Sequence, residues 1–335
     1  MMKSELSNRD RLKRVLDFQS VDRLPMIEWA AWWDKTIDRW HGEGLPAELS
    51  VGSDINAYFG LDAQLQYWIF TCGPDCPQPS GHGMPIINDR DDYIRIKPYL
   101  YPKNPFDQDV VGNWADRQKL GELVVWISLE GFFWFPRMLF GIEPHLYAFY
   151  DQPDLMKQIN EDLLTYQIRV IEQFCEICTP DFMTFAEDMS YNHGPMLSQS
   201  QFEEFMAPYY RQIVPVLIDR GIVPFVDTDG DVTVPAQWFT SVGIRGLLPL
   251  ERMAGVEVAQ LRRDHPKLNM IGAYDKTIMH LGEDRIREEF ERLLPVMKQG
   301  GFIPCVDHQT PPEVSLEDYR TYLRVLKEYC VKACE

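Results

Sequence analysis

Acidic residues close a series of short apolar runs along this chain, and that repetition is the first sign of chemistry. The runs are RLPMIEW (23–29), LVVWISLEG (123–131), DFMTFAEDM (181–189), IVPFVDTDG (222–230), IRGLLPLE (244–251), LNMIGAYDK (268–276) and GFIPCVDH (301–308). Their last polar residues include Glu28, Glu130, Glu187, Asp188, Asp227, Asp229, Glu251, Asp275, Asp307 and His308. Carboxylates gathered at one mouth repel one another. Such a site needs a cation, a shared proton or a cationic substrate.

Three positions carry the strongest signal. Asp227-Thr228-Asp229-Gly230-Asp231 ends one run, and strand alternation puts Asp227 and Asp229 on the same side. Glu251 ends the next run, and His308 ends the last, before Pro311-Pro312 stiffens the following loop. Asp227, Asp229, Glu251 and His308 together suit zinc or another divalent ion with an open position. A metal-free acid–base site is the second reading of the same residues. Turn capping, solvation and packing are the third.

Aromatics follow the same run ends. Trp29, Trp32, Trp33 and Trp40 come after the first, Phe132 to Phe135 after the second, and Tyr191 after Asp188. Most aromatic side chains are core, but those in loops after strand ends can wall a pocket for a flat or methylated substrate. Glu28, Trp32, Trp33, Phe133 and Arg252 are the candidate substrate-binding set. Arg39, Arg137 and Arg252 are candidate anion holders, each with surface charge as the simpler reading.

The elements that must position these residues alternate regularly. The apolar runs read as buried parallel strands. Between them, 153–178 shows apolar residues at spacings of three and four, 198–221 starts with serine caps and stops at a glycine, and further helical patterns end at Pro266 and Gly300. Alternating strand and helix implies parallel pairing with right-handed crossovers. No G-x-G-x-x-G opens the chain, which counts against a dinucleotide-binding sheet. The expectation is one (β/α)8 TIM-barrel domain over 1–335, with an N-terminal helical extension and an insertion near 50–120. Barrel active sites lie at the carboxyl ends of the strands.

The bulk charge narrows the partners. A net charge of −18 repels nucleic acid and anionic membranes. The N-terminus reads as a polar amphipathic helix rather than a secretory signal, and no apolar run reaches membrane-spanning length. The seven cysteines are then expected as free thiols in a cytoplasmic protein. Cys175/Cys178 and Cys72/Cys76 lack the second pair that a zinc ribbon requires, and they read as buried or incidental thiols.

Three segments carry a resemblance to a known family. RDRLKRVLDFQSVDRLPMIEW, TPDFMTFAEDMSYNHGPMLSQSQFEEFMAPYYRQIV and GGFIPCVDHQTPPEVSLEDY are similar to the opening, middle and closing segments of the uroporphyrinogen decarboxylase superfamily. The resemblance runs through nearly the whole chain and is weakest at 50–120. It implies a TIM barrel and one of two activities. The porphyrinogen decarboxylases carry an arginine-rich stretch after the first strand, where this chain reads Trp29-Ala30-Ala31-Trp32-Trp33-Asp34. The cobalamin-dependent methyltransferases bind zinc through a histidine-x-cysteine pair and a late cysteine. Those places fall on Asp227-Thr228-Asp229 and on or near His308, so ligand-capable residues remain while the sulfurs are gone.

On this branch the resemblance implies methyl transfer between a small methoxylated or methylated compound and a corrinoid on a partner protein. Zinc would sit on Asp227 or Asp229, Glu251 and His308, and Asp188 and Tyr191 would orient the substrate. An oxygen-rich site suits an ether or hydroxyl oxygen better than a thiolate. The alternative is a cofactor-free carboxy-lyase in which Asp188, Tyr191 and His308 act as catalytic residues. A non-catalytic binding protein is the third possibility, and a homodimer is compatible with all three.

Overall fold

The computed structural model describes residues 5–30, 32–50 and 52–335. Seven parallel strands form one curled sheet in consecutive order: β1 (Gln64–Ile69), β2 (Val124–Glu130), β3 (Phe182–Ala186), β4 (Val223–Asp227), β5 (Gly246–Leu248), β6 (Asn269–Tyr274) and β7 (Phe302–Val306). Helices run between them, including Pro153–Cys175, Glu283–Met297 and Leu316–Lys332. Six of the seven expected apolar runs contain one of these strands. The architecture is α/β and barrel-like.

Two expectations need correction. The region 50–120 is not simply an insertion, because it contains β1, which pairs with β2 from Gln64↔Val124 to Ile69↔Leu129. The run 23–29 carries no strand ladder among the described residues. Pro25 lacks the N–H that a ladder needs. The segment still reaches both edges of the sheet. The Asp62 N–H donates to Met26 O at 2.8 Å beside β1, and the Trp29 indole N–H donates to Val306 O at 2.9 Å on β7. The expected N-terminal helix is present as Asn8–Leu16, with Ser7 Oγ accepting the Asp10 N–H at its start. The pattern over 198–221 forms two helices, Gln199–Phe205 and Ala207–Asp219, which meet at Met206 just before Pro208.

The inner face of the sheet is layered by side-chain type. Trp126 stacks on Phe182 and Phe182 packs tilted on Phe225, at centroid separations of 4.9 and 5.3 Å. Gly246 makes room for them, since a Cβ there would lie 2.2 Å from the Phe225 ring. Each aromatic side chain buried this way contributes roughly 2–3 kcal/mol. Two residues further along the same faces, Gln66 Nε2 donates to Ser128 Oγ at 2.8 Å, and Ser128 Oγ meets Thr184 Oγ1 at 2.7 Å. Above that polar layer lie the acids. The period of two in each strand thus turns an aromatic floor into a charged mouth.

Candidate metal centre

Asp229, Glu251 and His308 follow β4, β5 and β7, and each offers a ligand atom within 4.8 Å of the others. The β4 loop sets this spacing. Gly230 has φ +82°, and a Cβ on it would stand 2.6 Å from Tyr191 N, so only glycine lets the loop pass beneath Tyr191. The Gly230 N–H donates to Glu251 Oε2 at 2.8 Å, and the Asp231 N–H donates to Tyr191 O at 2.9 Å. One glycine therefore ties three loops together. His308 Nε2 lies 3.7 Å from Asp229 Oδ2.

The acids around this point cannot all ionise freely. Burial pushes Asp229 up to about 7, with Asp188, Glu251 and Asp307 adding to the rise and Lys276 opposing it. Burial raises Asp227 well above the usual carboxylate range, and Asp188 and Asp229 push it further. Burial likewise raises Asp188, against the pull of Arg137 and His308. Burial and the Lys276 charge lower His308. Lys276 itself is held by Asp307, Nζ to Oδ1 at 3.0 Å, and the fully buried Asp307 also accepts the Arg252 N–H at 3.0 Å. Lys276 belongs to the site, although a search for acids and histidine passed over it. The signal was present: it is the last residue of the run 268–276.

A zinc ion fits this donor set. Two carboxylates and one imidazole supply oxygen and nitrogen ligands with a fourth position open. The Gly230 N–H orients one Glu251 oxygen in the way outer-sphere hydrogen bonds orient metal ligands. A cation would also relieve the crowding of Asp188, Asp227 and Asp229. One feature must change on binding. His308 Nδ1 accepts the Gln309 N–H at 2.8 Å, so the neutral ring carries its proton on Nε2. Ligation through Nε2 would require that proton to move to Nδ1 and the Gln309 bond to open.

The other expected site residues lie as follows. Asp227 is not among the three converging ligands but stands close enough to Asp229 to feel its charge. Asp188 belongs to the acidic cluster. Tyr191 lies on a short hairpin, Ser190–Tyr191 with Gly194–Pro195, and is half exposed. Trp33 is exposed at the start of the helix Asp34–Gly42. Trp32 packs against Trp40, Phe59 and Tyr319. Glu28 is buried, where it accepts the Val306 N–H and the Tyr319 O–H. Glu28 and Trp32 border a separate cavity of about 220 Å³ beside Gln64 and Trp126.

Phe133 is 0% exposed and packs on His145. The Arg252 guanidinium pairs with Glu257. Asp275 caps a turn by accepting the Thr277 N–H at 2.9 Å. Glu187 accepts the N–H groups of Phe132, Phe133 and Trp134 and the Tyr210 hydroxyl, while burial holds it up at about 7. Cys72, Cys76, Cys175, Cys178, Cys305 and Cys330 are free thiols. No helix among the described residues is long and apolar enough to cross a membrane.

Comparison with known proteins locates this architecture. A methyltransferase from Methanosarcina mazei superposes with a TM-score of 0.69 at 17% identity, over 97% of this chain and 99% of that one. A putative vitamin-B12-independent methionine synthase from Listeria monocytogenes gives a TM-score of 0.46 at 11% identity, over 93% and 97% of the two chains. The first likeness shows a shared fold. No curated protein sequence matches the chain. Residues 134–329 match the family model described as uroporphyrinogen decarboxylase (URO-D). That span is more than half of the sequence and holds the downstream loops of five of the seven strands, including Asp229, Glu251 and His308, so the chain belongs to the uroporphyrinogen decarboxylase family.

Proposed function

We propose that this protein is a metal-dependent methyltransferase that passes a methyl group from a small methoxylated or methylated compound to a corrinoid carried by a partner protein. The observation that carries this reading is the convergence of Asp229, Glu251 and His308 at the carboxyl ends of parallel strands. Zinc held by these three would supply Lewis acidity toward an ether or hydroxyl oxygen. Asp188, raised by burial, is the side chain suited to hold a proton for the departing oxygen. Tyr191 reaches over the same loop and would orient the substrate. Lys276 holds Asp307 and adds positive charge that Asp229 and His308 both feel.

Two further features support the reading. Trp68 and Phe70 at the end of β1 and Met253 after β5 are exposed apolar side chains of the kind that can receive a partner. The segment 24–29, which contacts both sheet edges, would complete an eight-membered barrel around the site. The M. mazei neighbour, by its description, performs methyl transfer on this fold. The decarboxylase reading keeps its place through the family itself, but no arginine stands at 29–34 to grip a polycarboxylate.

The test is an assay of zinc-loaded protein with methoxylated aromatics and free cob(I)alamin, followed by the spectral appearance of methylcobalamin, beside an assay with uroporphyrinogen. Methyl transfer that disappears after chelation and returns with zinc is the expected result. Decarboxylation by metal-free protein, with no methyl transfer, would overturn it.

A further inference from the structure

A cavity distinct from the one beside Glu28 lies between the loop of residues 72–86 and the helix Trp134–Phe140. Its volume is about 260 Å³, and Pro79, Met84, Ile86, Met138 and Ile142 give it largely apolar walls. The walls are built rather than loose. The N–H groups of Ile86 and Ile87 both donate to Leu139 O, at 2.7 and 3.0 Å, and the Ile142 N–H donates to Gly83 O at 3.0 Å. Gly141, at φ +80°, permits that approach, since a Cβ there would fall 2.6 Å from Gly83 O.

Arg137 also lines this cavity, and its bonding is incomplete. Its Nη1 donates to Asp188 O at 3.2 Å, and the guanidinium lies over the Trp134 ring at 4.9 Å. No carboxylate of a described residue forms an ion pair with it. The contrast with other arginines of the chain is plain. Arg11 meets both oxygens of Asp22, and Arg262 donates to the carbonyls of Pro266, Leu268, Gly300 and Gly301. A guanidinium held by its face over an indole keeps its edge free, and that edge matches a carboxylate with two parallel N–H bonds.

We propose that this cavity binds a small apolar carboxylic acid, with Arg137 as its anion anchor. An apolar void of ~150 Å³ accommodates benzene, so the volume here admits a single ring with its carboxylate and a further substituent. The partly exposed guanidinium, which donates to the Asp188 carbonyl, has further N–H groups to offer a carboxylate that enters this apolar cavity. The site stands on this geometry alone. Taking its occupant as the methyl donor rests on the methyltransferase reading, and Arg137 joins the two places because the residue it grips, Asp188, belongs to the acidic cluster.

The experiment is calorimetric titration of the full chain, without corrinoid or added zinc, using benzoate, benzamide and acetate. Benzoate is expected to bind at least tenfold more tightly than either benzamide or acetate. Arg137→Gln should erase the preference for benzoate over benzamide. Met138→Trp, which fills the cavity and leaves Arg137 in place, should weaken benzoate at least tenfold and keeps the test open should the arginine variant fail to fold. Equal binding of benzoate and benzamide, or unchanged benzoate binding in a folded Arg137→Gln variant, overturns the site. Selective benzoate binding together with failed methyl transfer would instead overturn the methyltransferase reading and leave this site standing.

Discussion

His308 Nε2 faces an Asp229 carboxylate oxygen at 3.7 Å, while Nδ1 of the same ring accepts the backbone N–H of Gln309 at 2.8 Å. The two contacts fix opposite duties on one imidazole. In the metal-free state Nε2 keeps the proton, and in a metal-bound state that proton would sit on Nδ1 at the expense of the Gln309 bond.

The ring exchange is neutral in protons, so proton release on zinc binding is expected from Asp229, which sits near 7 and sheds its proton when a cation arrives. Affinity should rise between pH 6 and pH 8 and level off above that. Titration calorimetry in buffers of different ionisation enthalpy reads the proton count. Asp229→Asn, Glu251→Gln and His308→Ala should each lower affinity by roughly 100-fold or more, since even supporting groups around a metal cost 10–100-fold. Affinity independent of pH, or untouched by all three variants, would remove the metal from the site.

Lys276 and Asp307 form a pair with little solvent access, at 13% and 0% side-chain exposure. Breaking one side of such a pair leaves a charge stranded, at a cost of about 3 kcal/mol. Lys276→Met should lower unfolding stability by that order at pH 8. The loss should be smaller at pH 5 than at pH 8, because burial raises Asp307 and a carboxyl so raised takes a proton more readily as the pH falls. Urea unfolding at the two pH values checks this, and an equal loss at both would show that the pair's charge is not what matters.

Much of this arrangement was written in the alternation of apolar runs, because a buried parallel strand leaves a compact hydrophobic stretch that ends where the chain meets solvent. β1 escaped for a physical reason. Its sequence QLQYWI alternates polar and apolar residues, since Gln64 and Gln66 turn inward to bond the Trp126 indole and the Ser128 hydroxyl. The acids were harder to sort than the strands. Glu28, Glu187, Asp275 and Asp229 share one pattern in the sequence, yet the first three meet backbone N–H groups and only Asp229 meets other ligands. Backbone partners from distant loops leave no local trace. Lys276 was legible as a strand-end residue, but its role depends on Asp307, which is 31 residues away.

His145 offers a test far from the metal. It is fully buried against Phe133 and Phe149, and neither ring nitrogen has a hydrogen-bond partner. Burial pushes it down to about 3 from 6.5. Its folded form refuses a proton that the unfolded chain accepts, so stability is whole above about 6.5 and declines as pH falls toward 3. His145→Phe keeps the aromatic contacts and removes both unmet nitrogens. It should gain about 1–2 kcal/mol at pH 7 and more at pH 5. Chemical denaturation at both values decides, and a loss at pH 7 would mean that the imidazole has a partner.

Glu28 should show the opposite slope. Burial raises it from 4.5 to about 7, while the Val306 N–H and Tyr319 O–H hold its oxygens. The folded protein thus keeps a proton that the unfolded chain has released, so this residue's contribution is greatest below about 4.5 and is lost as pH rises through 7. A displacement of that size corresponds to roughly 3 kcal/mol. In Glu28→Gln the amide oxygen can still accept the Val306 N–H, and its NH2 can donate to a turned Tyr319 hydroxyl. The variant should match wild type at pH 5 and exceed it by up to that amount at pH 8. Because Glu28 and His145 tilt the pH profile in opposite directions, the double variant should flatten it on both sides, and denaturant midpoints between pH 5 and pH 8 would show whether the two contributions add as distant sites should.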